Sequence, residues 1–141
     1  SYMTSVFSKI ISGDLPGTFL WDDELCVVFM SINPVEKGHA LLVPKLEIDH
    51  WLDAPEDLQT HLMKVAKIIG KAQQKAFNPN RVGLMIAGFE VPHLHIHLIP
   101  AYTMESLNFT EVPQVATIEE LSEAANQIKH YLEPRTGTGN D

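Results

Sequence analysis

The stretch "PHLHIHLIP" at residues 92–100 alternates without a break: His93, His95 and His97, with Leu94, Ile96 and Leu98 set between and after them. Successive side chains of a β-strand point to opposite faces, whereas helical residues two apart do not share a face. A strict period of two therefore reads as a strand with one apolar face on a core and one face carrying three imidazoles. Neighbouring imidazoles in such a row have Cα atoms about 6.5 to 7 Å apart. Any fold for this chain must bury the leucine–isoleucine face and find a use for the histidine ridge.

The rest of the chain supplies partners for that strand. "TFLWDD" (18–23) and "LCVVFM" (25–30) read as a hairpin across Asp22-Asp23-Glu24, "HALLVPK" (39–45) as a third strand and "RVGLMIAG" (81–88) as a fourth. Residues 4–12, "TSVFSKIIS", predict a short helix capped by Thr4 or Ser5, with Val6, Ile10 and Phe7 on its apolar stripe. The longest helix opens at Pro55, with Glu56 and Asp57 in its first turn, where the helix dipole favours acids. Leu58, Leu62, Val65, Ile69 and Ala72 then follow at spacings of four and three, one apolar face, and the helix ends before "NPN" (78–80). Thr117 with Glu120 makes a capping box for a last helix carrying Leu121, Ala124, Ala125 and Ile128. The order predicts an α+β fold, a five-stranded, mostly antiparallel sheet with a long helix and flanking helices. One domain over residues 1–141 is expected, with a core at about 5–100, a helical extension at 101–133 and a flexible tail at 134–141.

The formal net charge of −8 argues against polymeric nucleic acid, whose phosphate backbone needs a basic surface. A small anion stays possible, because backbone amides and a few side chains can build a local positive site. No apolar run approaches the roughly 20 residues that span a bilayer, and nothing near the start reads as a signal peptide. The single cysteine, Cys26, cannot form an internal disulfide and reads as a buried small hydrophobe. Cytoplasmic residence, with no membrane partner, is the expectation.

Two chemistries fit a ridge of imidazoles. Histidines two apart on a strand can ligate one zinc or copper ion, with His39 on the third strand as the further ligand. Alternatively, a neutral imidazole nitrogen attacks phosphorus to form an N-phosphorylated histidine, which water then cleaves. Flanking histidines would then hold phosphate oxygens or protonate the leaving group.

The stretch resembles the His-φ-His-φ-His-φ-φ signature (φ, hydrophobic) of the histidine-triad family of nucleotide hydrolases and transferases, with every hydrophobic position filled. "VFSKIISGDLP" looks like that family's N-terminal helix and turn, and "DDELCVVFMSINPVEKGHALLVPK" is similar to its next block, including Gly38-His39 and the closing "VPK". The likeness covers about residues 5–100 in order. It implies a hydrolase or nucleotidyl transferase acting on a nucleoside phosphoramidate or dinucleoside-polyphosphate-like substrate through a nucleotidyl-histidine. It further implies that His95 is the nucleophile, that His93 and His97 orient it and bind phosphate, with His97 helping the leaving group, and that His39 fixes a triad ring. Phe7, Ile10, Phe29 and Ile32 fall where the family lines its base pocket. The resemblance also implies a homodimer whose sheets join, and no cofactor.

Three positions depart from the family. Many bacterial members hold a structural zinc through Cys-x-x-Cys near the N-terminus and through histidines. Here Ser5 and Ser8 take the cysteine places and Glu47 the place of the histidine after "VPK", so no structural zinc is expected. His50, three residues on, reads as a surface residue. Phe89 and Glu90 stand where the family places Gln-Ser or Gln-Thr, and Ser31 stands where an acid or amide commonly holds the ribose. The alternative function is a protein that keeps the fold and holds a nucleotide or metal without turnover. If His95 attacks as the neutral base, activity should fall below roughly pH 6.

Overall fold

The computed structural model describes residues 4–133; the tail expected at 134–141 lies outside them. Strands β1 (Phe19–Asp22), β2 (Cys26–Met30), β3 (Ala40–Pro44), β4 (Arg81–Met85) and β5 (Ile96–Ala101) form one sheet in the order β1-β2-β3-β5-β4. Every pairing is antiparallel. Helices α1 (Val6–Ser12), α2 (Glu56–Phe77) and α3 (Ile118–Lys129) pack around it.

Both faces of β2 and β3 are covered, and all ten of their residues are buried. Cys26, Val28, Met30, Ala40 and Leu42 meet the apolar stripe of α2 (Leu58, Leu62, Val65, Ile69, Ala72) and of α3 (Leu121, Ala124, Ala125, Ile128), both as the spacing predicts. Val27, Phe29, Leu41 and Val43 point the other way and pack against Phe7 of α1. Leu94, Ile96 and Leu98 lie in the first of these layers. The alternation read from the sequence therefore holds in space, with the apolar members on the core.

The elements differ from expectation in four places. The fifth strand begins at Ile96, because β3 pairs β5 only across Ala40–Leu42 and Ile96–Leu98. Ahead of that point the Leu94 N–H turns to the Ile48 carbonyl at 2.6 Å. β4 ends at Met85, opposite His97, one residue short of the start of β5 at Ile96. Short 3₁₀ turns at Trp51–Asp53 and Met104–Leu107 carry no pattern that periodicity detects. In α1, Ser5 is the cap and Phe7 the buried residue, while Val6 is 43% exposed; one short helix can turn only one edge to the sheet.

The β1–β2 hairpin is tied to α2 through Asp23. Its Oδ1 accepts the Leu25 and Cys26 N–H groups at 2.7 and 2.8 Å, and its Oδ2 accepts the Trp21 indole at 2.8 Å and His61 Nε2 at 2.7 Å. Burial alone would raise this carboxyl's pKa, but the donors outweigh it and hold Asp23 well below the usual range. Cys26 is buried, as expected, with its sulfur 3.6 Å from the same carboxylate. The ligand atoms of Asp23, Cys26 and His61 lie within 4.8 Å of one another, yet the Asp23 oxygens are already saturated with donors, which makes the trio a hydrogen-bonded knot.

At the entry to β3, Gly38 has φ +92°, and a Cβ there would stand 2.3 Å from a ring carbon of Phe77. Gly38→Ala should therefore lower stability by about 2–5 kcal/mol through left-handed strain and overpacking. Urea denaturation checks this; a midpoint equal to that of the unaltered protein contradicts the packing described.

Candidate active site

The three histidines end up in different settings. His93 is fully buried, His95 is 6% exposed, and His97, the member inside β5, is half-buried. His39, fully buried just before β3, comes across to His97 with ring centroids 5.1 Å apart. His95 lies 5.1 Å from His97 by the same measure. The strand expected to carry all three imidazoles carries only His97; His93 and His95 lie just ahead of it, and His39 faces His97 from beside β3.

Each ring's proton is placed by a partner with only one possible role. A carbonyl can only accept and a backbone N–H can only donate. His93 Nε2 lies 2.7 Å from the Pro44 carbonyl, so Nε2 carries the hydrogen and Nδ1 accepts from the Ser5 hydroxyl at 2.6 Å. His95 Nδ1 donates to the His93 carbonyl at 2.7 Å, which leaves Nε2 of the neutral ring with a bare lone pair. The Val35 N–H donates to His39 Nδ1 at 3.2 Å; His39 Nε2 then donates to His97 Nδ1 at 2.9 Å. That leaves His97 with its hydrogen on Nε2. The arrangement sets a nucleophile-type nitrogen on His95 beside an acid-type N–H on His97.

Electrostatics favour the neutral forms of His39, His97 and His93. Burial, then the neighbouring His97 and His95, pushes His39 down to about 3. Burial, then His95, pushes His97 down to about 4. Burial also lowers His93, against the opposing pull of its bond to Pro44 and of Glu47.

Phe7 and Phe29 meet edge to face at 5.6 Å, Phe7 sits 4.9 Å from His95, and Phe19 joins Phe29 at 5.8 Å. Ile10 packs on the same cluster. The cluster also takes in Phe19 and Val91, which the sequence did not single out. Ile32 is 58% exposed and lies outside the cluster; its carbonyl accepts the Ala116 N–H at 2.8 Å. Ser31 is buried, and its Oγ accepts the Asn33 N–H at 3.3 Å. Glu90 is exposed in the bend before His93.

One aromatic was not expected. Phe109 stands 5.0 Å from His97 and 5.9 Å from His39. It is brought there by a segment laced to the 31–38 loop through Ser106–Glu36 (2.6 Å), Asn33–Pro113 (3.0 Å) and Ala116–Ile32 (2.8 Å). A single phenylalanine in a loop offers no sequence signal.

Ser5, Ser8 and Glu47, the positions at which the resemblance would put zinc ligands, do come together, beside His93. Ser5 Oγ donates to His93 and accepts the Ser8 N–H at 3.0 Å, while Ser8 Oγ donates to Glu47 Oε1 at 2.6 Å and the Ser5 N–H reaches the same oxygen at 3.0 Å. Two neutral hydroxyls already engaged in this way are a poor zinc set; the residues do not fit the metal. His50 is exposed, capping the 3₁₀ turn at Trp51.

A single antiparallel sheet that presents neutral imidazoles beside an aromatic cluster defines a histidine-triad type of domain. The family model for the HIT domain matches residues 12–104. The chain is 35% identical over 130 residues to an uncharacterized HIT-like protein of Methanocaldococcus jannaschii, covering 88% of this chain and 98% of that one. It is 32% identical over 135 residues to an adenylylsulfatase of Arabidopsis thaliana (90% and 68% covered) and 35% identical over 96 residues to an adenosine 5′-monophosphoramidase of Saccharomyces cerevisiae (67% and 61%). A Hit-like protein involved in cell-cycle regulation from Bartonella henselae superposes with a TM-score of 0.81 at 29% identity, covering 92% of this chain and 96% of that one. The chain belongs to the HIT family.

The buried neutral rings set a pH dependence of stability. Imidazoles in the unfolded chain protonate near pH 6.5, while His39 and His97 resist protonation down to about 3 and 4. Below pH 6.5 the unfolded state binds more protons, so stability is complete above that value and falls as the pH drops toward 4. Between pH 7.5 and 5.0 the loss should be on the order of 2–4 kcal/mol. Guanidinium titrations at the two pH values measure it; equal midpoints would contradict neutral burial.

Proposed function

We propose that the protein is a hydrolase or nucleotidyl transferase of the histidine-triad type, cleaving a phosphorus–nitrogen or phosphorus–oxygen bond in a nucleotide conjugate. The observation that carries the reading is the pairing of a lone pair on His95 Nε2 with a hydrogen on His97 Nε2, each dictated by a backbone partner at the far end of its hydrogen-bond chain. Two relatives, named an adenosine 5′-monophosphoramidase and an adenylylsulfatase, support nucleotidyl chemistry.

In this reading His95 Nε2 attacks the nucleotide's phosphorus, and the bond to the leaving group breaks as His97 Nε2 gives that group its proton. The nucleotidyl-histidine is then opened by water, whose proton returns to His97, regenerating both rings. His93 holds His95 through its carbonyl, and His39 holds His97. Phe7, Ile10 and Phe29 hold the base, with Ile32 at the rim. Ser31, whose hydroxyl hydrogen is not used by the Asn33 contact, reaches the ribose. Glu90 faces the substrate's phosphate side or a cationic group on it. A small-molecule nucleotide, not a nucleic acid polymer, is the partner.

A second reading, a protein that holds a nucleotide without turnover, is favoured by the exposed Glu90 standing where the family carries a phosphate-binding hydroxyl. A homodimer belongs to the same proposal, supported by β4 as a sheet edge with Leu84 44% exposed. So does cytoplasmic residence, supported by the absence of any internal disulfide in a chain with a single, buried cysteine; no helix of the described residues is long and apolar enough to cross a membrane.

A fluorogenic adenosine phosphoramidate tests the reading. His95→Ala should lower turnover by on the order of 10³-fold or more and His97→Ala by about 10²-fold, with AMP binding retained in both. Turnover by His95→Ala at the unaltered rate would reject the nucleophile, and AMP binding without turnover by the unaltered protein would leave the second reading.

A further inference from the structure

The buried stripe of α2 is apolar except at one place. Gln73, in its last two turns, is fully buried, where an unbonded amide is costly and an aliphatic side chain would fit the pattern. Its Nε2 donates two hydrogen bonds of 2.9 Å, one to the Gly38 carbonyl and one to the Leu98 carbonyl. Its Oε1 is buried without a partner among the described residues. This side chain is thus kept for its two amide hydrogens, although half of it lacks a partner.

Those two carbonyls stand at informative places. Gly38 directly precedes His39, and Leu98 directly follows His97, the pair joined Nε2 to Nδ1 at 2.9 Å. The β3–β5 ladder stops at Ala40 opposite Leu98, so His39 lies just past the end of the strand pairing. Phe77, one turn further along α2, occupies the space beside Gly38. The last turns of α2 thereby fix the Gly38-His39 junction twice, by ring packing and by the amide.

We propose that Gln73 is a positioning residue for the triad: a single side-chain amide, reaching through from behind the sheet, sets His39 against His97 and so keeps the hydrogen of His97 on Nε2. This rests on the reading of His97 as the proton donor. Among groups that fit, only a primary amide or a cation offers two hydrogens at this reach, and a buried cation would have no counter-charge here. Glutamate in the same place, even when neutral, has one hydrogen and can hold one strand.

The test compares Gln73→Met, of similar length without donors, with Gln73→Glu. Histidine ring NMR reads the tautomer of His97, steady-state kinetics on an adenosine phosphoramidate separate kcat from KM, and circular dichroism reports folding. In Gln73→Met, His97 is expected to change from one Nε2–H form to a mixture, with kcat down about 10-fold or more and KM within about 3-fold; Gln73→Glu should fall between. A native fold with the unaltered His97 tautomer in both variants would overturn the proposal. So would failure of both variants to fold, which would make Gln73 a fold residue only. Should the unaltered protein lack turnover, the proposed function fails while the tautomer measurement still decides the role of Gln73.

Discussion

A carbonyl oxygen can accept a hydrogen bond but never donate one, and two of them decide how the histidine cluster is protonated. Pro44 takes the Nε2 hydrogen of His93, and His93 in turn offers its own carbonyl to Nδ1 of His95. On the other side the Val35 N–H starts a second chain that runs through His39 to His97. Tautomers of a free imidazole exchange readily; here each is set by main-chain groups that the fold has no freedom to reverse. The same burial that supplies those partners keeps His39 and His97 neutral. A bare nitrogen on His95 and an N–H on His97 are thus set by the fold itself, and the proposed function assigns them the parts of nucleophile and acid.

The surrounding structure serves that arrangement from three directions. From the N-terminus, Ser5 caps α1 and donates to His93, so the helix that brings Phe7 against His95 is fastened to the cluster it lines. From behind the sheet, α2 reaches Gly38 and Leu98 through Gln73. From the C-terminal side, the segment ending at Ala116 bonds to the 31–38 loop and lays Phe109 across His39 and His97. The serine–glutamate cluster ties the start of α1 to Glu47 and His93 through hydrogen bonds alone. Its members are the residues that make the chain look atypical.

Much of this was legible before any coordinates. Alternation at 92–100 sorted Leu94, Ile96 and Leu98 from the three histidines, the spacing from Leu58 to Ala72 gave the buried side of α2, and Thr117 with Glu120 marked the start of α3. These are local signals, carried by residues a few positions apart. The start of β5 was misplaced because the side-chain period survives where the backbone ladder does not: Leu94 still faces the core while its N–H bonds to Ile48. Val6 was assigned to the wrong edge of α1 because seven residues give too few turns to tell one stripe from its neighbour. Phe109, Gln73 and the Ser5–His93 bond escaped altogether. Each depends on contacts between residues far apart in the chain, 88 positions for Ser5 and His93, and a lone glutamine in a helix looks like any solvated one.

The most direct test of the account is the protonation of the four rings in the resting protein at pH 7, read by ¹⁵N NMR of histidine-labelled material. The account predicts hydrogen on Nε2 of His39, His93 and His97, and on Nδ1 of His95 with its Nε2 bare. Hydrogen on Nε2 of His95, or a doubly protonated His97, would contradict it.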